Sequence, residues 1–145
     1  MRAVVQRVSS GQVTVTGSLV ARIDRGVVIL LGIAPQDGEE QAQFLVEKIA
    51  RLRIFEDEQG KMNRSLLEIN GQAIVVSQFT LYADTHKGRR PSFTGAASPE
   101  FARPLVERFT SLLREQGIPS QAGEFGAHML VEIANDGPVT IWLER

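Results

Sequence analysis

The sequence predicts an α+β fold: a mostly antiparallel, barrel-like β-sheet core with two main α-helices, in a single domain over residues 1–145. Three observations carry this reading. The N-terminal stretch holds short β-branched runs broken by Gly11, Gly17 and Gly26 at hairpin-like spacing. Two amphipathic stretches, after Asp37 and after Ser98, carry helical periodicity. The C-terminal stretch returns to β-branched residues. Consecutive short strands with tight turns pair antiparallel and curl toward a barrel or sandwich. A chain of this length buries about two-thirds of its unfolded surface and needs no covalent staple.

Each element has a local reason. Ala3–Val8 and Val13–Thr16 read as strands, with Ser9-Ser10-Gly11 as the turn between them. Ser18–Asp24 is a further short strand, and Val27–Ile33 a fully buried one. Asp37 is the expected N-cap of the first helix, with Glu40 completing a capping box. Ala42, Leu45, Ile49 and Leu52 share its inner face. Arg53–Phe55 reads as a short strand and Glu56–Gly60 as a polar turn. Ala73–Val76 starts an apolar strand that runs into Ser77–Tyr82. The second helix is expected from Ser98 to Gln116. Ser98 caps it, Pro99 suits the first helical position, and Gly117 and Pro119 stop it. Phe101, Leu105, Phe109 and Leu112 are its expected inner face, and Pro104 should kink it or move its start. Leu130–Ala134 and Val139–Leu143 close the chain, joined by a turn at 135–138.

Composition excludes several chemistries. There is no cysteine, hence no disulfide, no thiol nucleophile and no Cys-ligated metal. His86 and His128 are too few for a histidine-rich metal site, and Glu56-Asp57-Glu58 reads as a solvated turn, so neither a metal nor a cofactor is expected. Sixteen basic against 17 acidic residues give a net charge of -1, which argues against a protein that coats nucleic acid non-specifically. One local basic patch stands out: Lys87, Arg89 and Arg90, with no acid between Thr85 and Pro99. The longest apolar run, Val27–Ala34, is far too short to span a membrane, and the N-terminal residues lack a signal-peptide pattern. The expected compartment is the cytoplasm.

The sequence has no Gly-rich phosphate loop, no metalloprotease helix motif and no nucleophile elbow. An enzyme built this way depends on backbone groups and on the reactivity of its substrate. Two segments stand apart. Ser77-Gln78-Phe79-Thr80-Leu81-Tyr82 is either a plain edge strand or a strand end whose amides and Gln78 side chain face a ligand. Asn135-Asp136-Gly137-Pro138-Val139-Thr140 is either a plain turn or a rigid acceptor site. A Gly–Pro bond can be cis, as roughly 5% of X–Pro bonds are, and could then aim two carbonyl oxygens the same way, toward an ammonium group.

Together the two segments resemble the signatures of the D-aminoacyl-tRNA deacylase family, Ser-Gln-Phe-Thr-Leu and Asn-x-Gly-Pro-Val-Thr, intact here at 77–81 and 135–140. Gln6-Arg7-Val8, Gly60–Asn63, Arg90–Phe93 and Phe125-Gly-Ala127 with Met129 fit the same family. The resemblance implies a cytoplasmic homodimer that hydrolyses the ester of D-aminoacyl-tRNA. Glycine mischarged on tRNA(Ala) would also be removed, and L-aminoacyl-tRNA spared. It implies a site at the subunit interface, with Gln78, Phe79 and Thr80 at the chemistry and Ser77, Phe125 and Met129 against the substrate. Gly137 and Pro138, inserted from the other subunit with a cis bond, would exclude L side chains, and Arg7 would orient them. Thr80 could act as nucleophile, but no base is evident; backbone amides at Phe79 and Thr80, with help from the tRNA 2′-hydroxyl, are the preferred assignment. Lys87, Arg89 and Arg90 are the candidates for tRNA contact. The expected partners are aminoacyl-tRNA and a second copy of the chain, with no membrane and no DNA. Two rival readings are a non-catalytic RNA-binding module of the same fold and a hydrolase of free D-amino-acid esters.

Overall fold

The computed structural model describes residues 1–145. In chain order the strands are β1 (Arg2–Val15), β2 (Ser18–Ile23) and β3 (Gly26–Gly32), then helix α1 (Glu39–Arg51). A small hairpin of β4 (Phe55–Glu56) and β5 (Met62–Arg64) follows, then β6 (Gln72–Ser77) and one 3-10 turn at Phe79–Tyr82. Helix α2 (Pro99–Glu115), β7 (Ser120–Ala122) and β8 (Met129–Glu144) complete the chain. The main sheet runs β2-β1-β3-β6-β7, with β8 on the other edge of β1. The Gln121 side chain donates to the Arg22 carbonyl at 2.5 Å and accepts from the Arg22 N–H at 3.0 Å. That clasp links β7 to β2 and nearly closes the sheet into a barrel.

The sheet is mixed. β1 pairs antiparallel with β2, β3 and β8, while β3–β6 and β6–β7 are parallel. Parallel neighbours need a long crossover, and α1 and α2 supply the two crossovers. Both faces of the central strands are therefore buried. On β3, Val27, Ile29 and Leu31 face the helices together with Leu45, Ile49, Phe109 and Leu113. Val28 points the other way, into a second core with Val8, Val13, Ile23, Ile74 and Val76. Burial on both faces explains why 27–33 reads as an unbroken apolar run.

Four expectations fail locally. Ser9-Ser10-Gly11 is not a turn: β1 is one strand, paired with β8 along its length, and the segment carries a register shift between Val8 and Ser10. Residues 135–138 likewise do not end a strand, because β8 is continuous there. Asp37 does not cap α1, which starts after Gly38 with the Gln41 side chain accepting the Gly38 N–H at 2.9 Å. The Asp37 carboxylate is buried instead against the Met1 ammonium at 2.5 Å and the Ala34 N–H at 2.6 Å, stronger partners than a helix end. On α2 the inner face is Ala102, Val106, Phe109, Leu112 and Leu113, with Leu105 packed against it, so Leu105, Phe109 and Leu112 lie as expected and only Phe101 is exposed. Residue size misled here, since Phe101 and Ala102 fit the same period. α2 starts at Pro99 as expected and continues through the exposed Pro104. No helix is long and apolar enough to cross a membrane.

Candidate active site

β6 stops at Ser77 rather than running on to Tyr82. Gln78 donates its N–H to the Leu31 carbonyl at 2.8 Å, and the chain then turns through Phe79–Tyr82. In that turn the Leu81 N–H reaches Gln78 O at 3.2 Å and the Ala83 N–H reaches Thr80 O at 3.0 Å. The N–H groups of Phe79 and Thr80 find no backbone acceptor in the chain. They are the first donors of a 3-10 turn, and geometry leaves such donors free. Gly32 seats the turn: a Cβ there would lie 3.1 Å from both Gln78 O and Leu81 Cβ.

A cavity of about 570 Å³ opens beside this turn, lined by Ser77, Gln78 and Phe79. Leu31, Val76 and Val106 give it an apolar floor. Phe93 packs edge-on against Phe79, centroids 4.9 Å apart. The segment from Phe125 to Met129 forms another wall, and Arg103 of α2 lies over the Phe125 ring. Thr80 stands next to the cavity, and its Oγ1 receives a hydrogen bond from Gln78 Nε2 at 2.5 Å. A donor on that oxygen lowers its nucleophilicity. No carboxylate or imidazole hydrogen-bonds it; Tyr82, pushed up to about 12 by burial, stays protonated. The site offers apolar enclosure and backbone donors, without a built acid–base pair. No three His, Asp or Glu side chains converge anywhere in the chain.

Arg7, Gly137 and Pro138 form a second unit, none of them lining the cavity. Gln6 pairs with Thr140 and Val8 with Asn135, so Asp136–Val139 bulge out opposite the single residue Arg7. Asn135 closes the neck, its Nδ2 donating to Arg7 O at 2.9 Å and to Val139 O at 3.0 Å. The buried Arg7 guanidinium donates to Asp136 O at 3.0 Å and to Ile54 O at 2.7 Å, and pairs with the Asp136 carboxylate at 3.3 Å. Gly137 has φ 123, in the region that favours glycine, and its peptide bond to Pro138 is cis. Both residues face solvent. Lys87, Arg89 and Arg90 occupy a third place, an exposed loop held at its base by Asp84 and Ser92, whose backbones exchange bonds at 2.7 and 2.9 Å. Within one chain the structure thus gathers Ser77, Gln78, Phe79, Phe125 and Met129, with Thr80 alongside. It keeps the other two groups apart.

Sequence reasoning missed the α2 wall, Ala102, Arg103 and Val106, because periodicity does not say which structure a helix face will meet. Phe93 was within reach, since it ends the Arg90–Phe93 stretch.

A family model described as D-Tyr-tRNA(Tyr) deacylase matches residues 4–144, nearly the whole chain.

The chain belongs to the D-Tyr-tRNA(Tyr) deacylase family.

Relatives named D-aminoacyl-tRNA deacylase support the assignment to the deacylase family. One from Thermomicrobium roseum is 59% identical over 99% of this chain and 94% of its own length. One from Thermus aquaticus is 56% identical over 99% of this chain and 95% of its own. Among solved structures, one named c-Myc DNA Unwinding Element Binding Protein superposes with a TM-score of 0.94 at 43% identity, covering 100% of this chain and 99% of that one. Another, described as a probable eukaryotic D-amino acid tRNA deacylase, has a TM-score of 0.82 at 20% identity over 98% of this chain and 97% of that one. At that identity the likeness concerns the fold, which this deacylase-family chain shares over its full length.

Proposed function

We propose that this chain, residues 1–145 acting as one domain, hydrolyses the ester between a D-amino acid and tRNA in the cytoplasm. Its working form is a homodimer whose two cavities are each completed by Gly137–Pro138 of the other copy. One observation carries the reading: Ser77, Gln78 and Phe79 line one end of the cavity, with the free N–H groups of Phe79 and Thr80 in the turn beside it, while Gly137–Pro138 projects into solvent outside it. A second copy can bring the two together.

In this reading water, assisted by the 2′-hydroxyl of the terminal adenosine, attacks the ester carbonyl. The Phe79 and Thr80 amides donate to the oxyanion, and collapse expels the tRNA 3′-oxygen, giving free amino acid and tRNA. A preorganised donor of this kind lowers the barrier by roughly 3 kcal/mol. A D-residue directs its ammonium to the carbonyl oxygens beside Gly137–Pro138 and its side chain outward. An L-residue held by the same groups drives its side chain into that motif, so chirality is read by exclusion. Glycine, including glycine on tRNA(Ala), has nothing to exclude.

The test follows the surviving ester of D-tyrosyl- and L-tyrosyl-tRNA with purified protein, alongside its sedimentation. Loss of the D-ester alone from a dimer is expected. Stability of both esters would point to an RNA-binding module, and a monomer that hydrolyses the D-ester would overturn the shared site.

Thr80→Ala tests the backbone mechanism. Its kcat is expected to stay within about tenfold of the parent, because only a hydroxyl already engaged by Gln78 is removed. A fall of roughly a thousandfold with an intact fold would make Thr80 the nucleophile.

The tRNA body is proposed to meet the exposed loop through Lys87, Arg89 and Arg90. Changing all three to Gln should weaken tRNA binding and flatten its salt dependence, by up to about 0.9 in slope for each phosphate no longer neutralised. An unchanged slope would leave the loop a solvated surface.

A further inference from the structure

α2 carries three arginines, and two are fully employed in the fold. Arg108 is clamped by Glu39 at 2.8 Å and Glu115 at 2.5 Å, tying α2 to α1. Arg114 donates to the Ser120 carbonyl at 2.9 Å, tying α2 to β7. Arg103 forms no ion pair, although Glu100 and Glu107 lie one turn to either side of it. Its guanidinium lies on the Phe125 ring, Cζ 4.8 Å from the centroid, in the wall of the cavity. No carboxylate lines that cavity.

An arginine stacked on an aromatic ring keeps its charge and the N–H donors along its edge, and the ring fixes the plane of the fork. That fork matches two oxygens of a phosphate. We propose that Arg103, held on Phe125, is a phosphate-binding residue of the cavity, receiving the phosphate 5′ to the terminal adenosine whose nucleoside fills the apolar space. The inference rests on the proposed function for the presence of that adenosine. It adds a point at which the nucleotide, rather than the amino acid, is recognised. It also separates the task of Arg103, at the acceptor end, from that of the Lys87–Arg90 loop.

The experiment needs no turnover. Calorimetry compares binding of adenosine and adenosine 5′-phosphate to the full-length protein, its Arg103→Ala and Arg103→Lys variants, and Phe125→Leu. Circular dichroism checks that each variant is folded. The parent should bind the phosphate form roughly tenfold more tightly, as one charge-assisted contact allows. Arg103→Ala should erase that preference, Arg103→Lys keep part of it, and Phe125→Leu reduce it by loosening the fork. Equal affinity for the two ligands in the parent, or an undiminished preference in Arg103→Ala, would overturn the assignment. Failure of the deacylase reading shows itself separately, as no hydrolysis of D-tyrosyl-tRNA while the phosphate preference persists.

Discussion

Arg7→Ala is expected to lower stability by about 3 kcal/mol and to relax the discrimination between D- and L-aminoacyl-tRNA. The stability loss follows from position. Arg7 is 5% exposed, and its guanidinium satisfies the Ile54 carbonyl and two groups of Asp136. Truncation leaves the Ile54 oxygen without its partner and opens space beneath the bulge of β8. The loss of selectivity follows from the same contacts, since they hold Asp136, the neighbour of Gly137–Pro138, to the body below it. Arg7→Lys separates the two effects. A lysine keeps the charge but cannot donate to two separated carbonyls in one plane, so stability should recover in part and selectivity little. Urea unfolding gives the first quantity, and the ratio of kcat/KM for D- and L-tyrosyl-tRNA gives the second. A folded Arg7→Ala protein that still spares the L-ester would show that the motif holds its shape without this arginine.

Gly26→Ala is expected to prevent folding, or to destabilise by more than about 4 kcal/mol. Gly26 opens β3 and pairs with Gln72 of β6. A Cβ at this position would sit 1.9 Å from the Gln72 oxygen and 2.7 Å from its nitrogen. Both are backbone atoms, so no rotamer change relieves the clash. Relief requires β3 and β6 to separate at the start of their parallel pairing, which also shifts Val27 and Ala73 out of the main core. Little soluble protein, or a urea midpoint far below the parent's, is the expected result. A midpoint equal to the parent's would mean that the two strands part at no cost.

Much of this architecture can be read from residue order, because local physics decided it. The unbroken apolar run at 27–33 marks a strand buried on both faces, and Ser98-Pro99 and Gly117 mark the ends of α2. Other features depend on partners distant in sequence. Ser9-Ser10-Gly11 has turn chemistry, yet β8 pairs across it and holds β1 as one strand. Asp37 has capping chemistry, yet the Met1 ammonium claims its carboxylate. The cavity residues Ser77, Gln78 and Phe79 were visible as a segment where apolar strand gives way to polar residues. Physics alone did not distinguish them from an edge strand, and the family motif made the difference. Arg103 carried no local signal, because its meaning arises only when α2 places it over Phe125.

The bulge at Asp136–Val139 sits inside a strand that is paired on both sides of it, and this fixes where its two ends lie. On its far side, half-buried Ile141 and Leu143 alternate with exposed Trp142 and Glu144 against Val5, Ala3, Val4 and Arg2. Adding or deleting one residue in the bulge would leave that register in place, because the segment is unpaired, and would instead move Gly137–Pro138 relative to the Arg7 guanidinium that holds Asp136. What fixes the segment's count is therefore the aim of its tip, not the register of the sheet around it. A graft from another protein will be tolerated here only residue for residue.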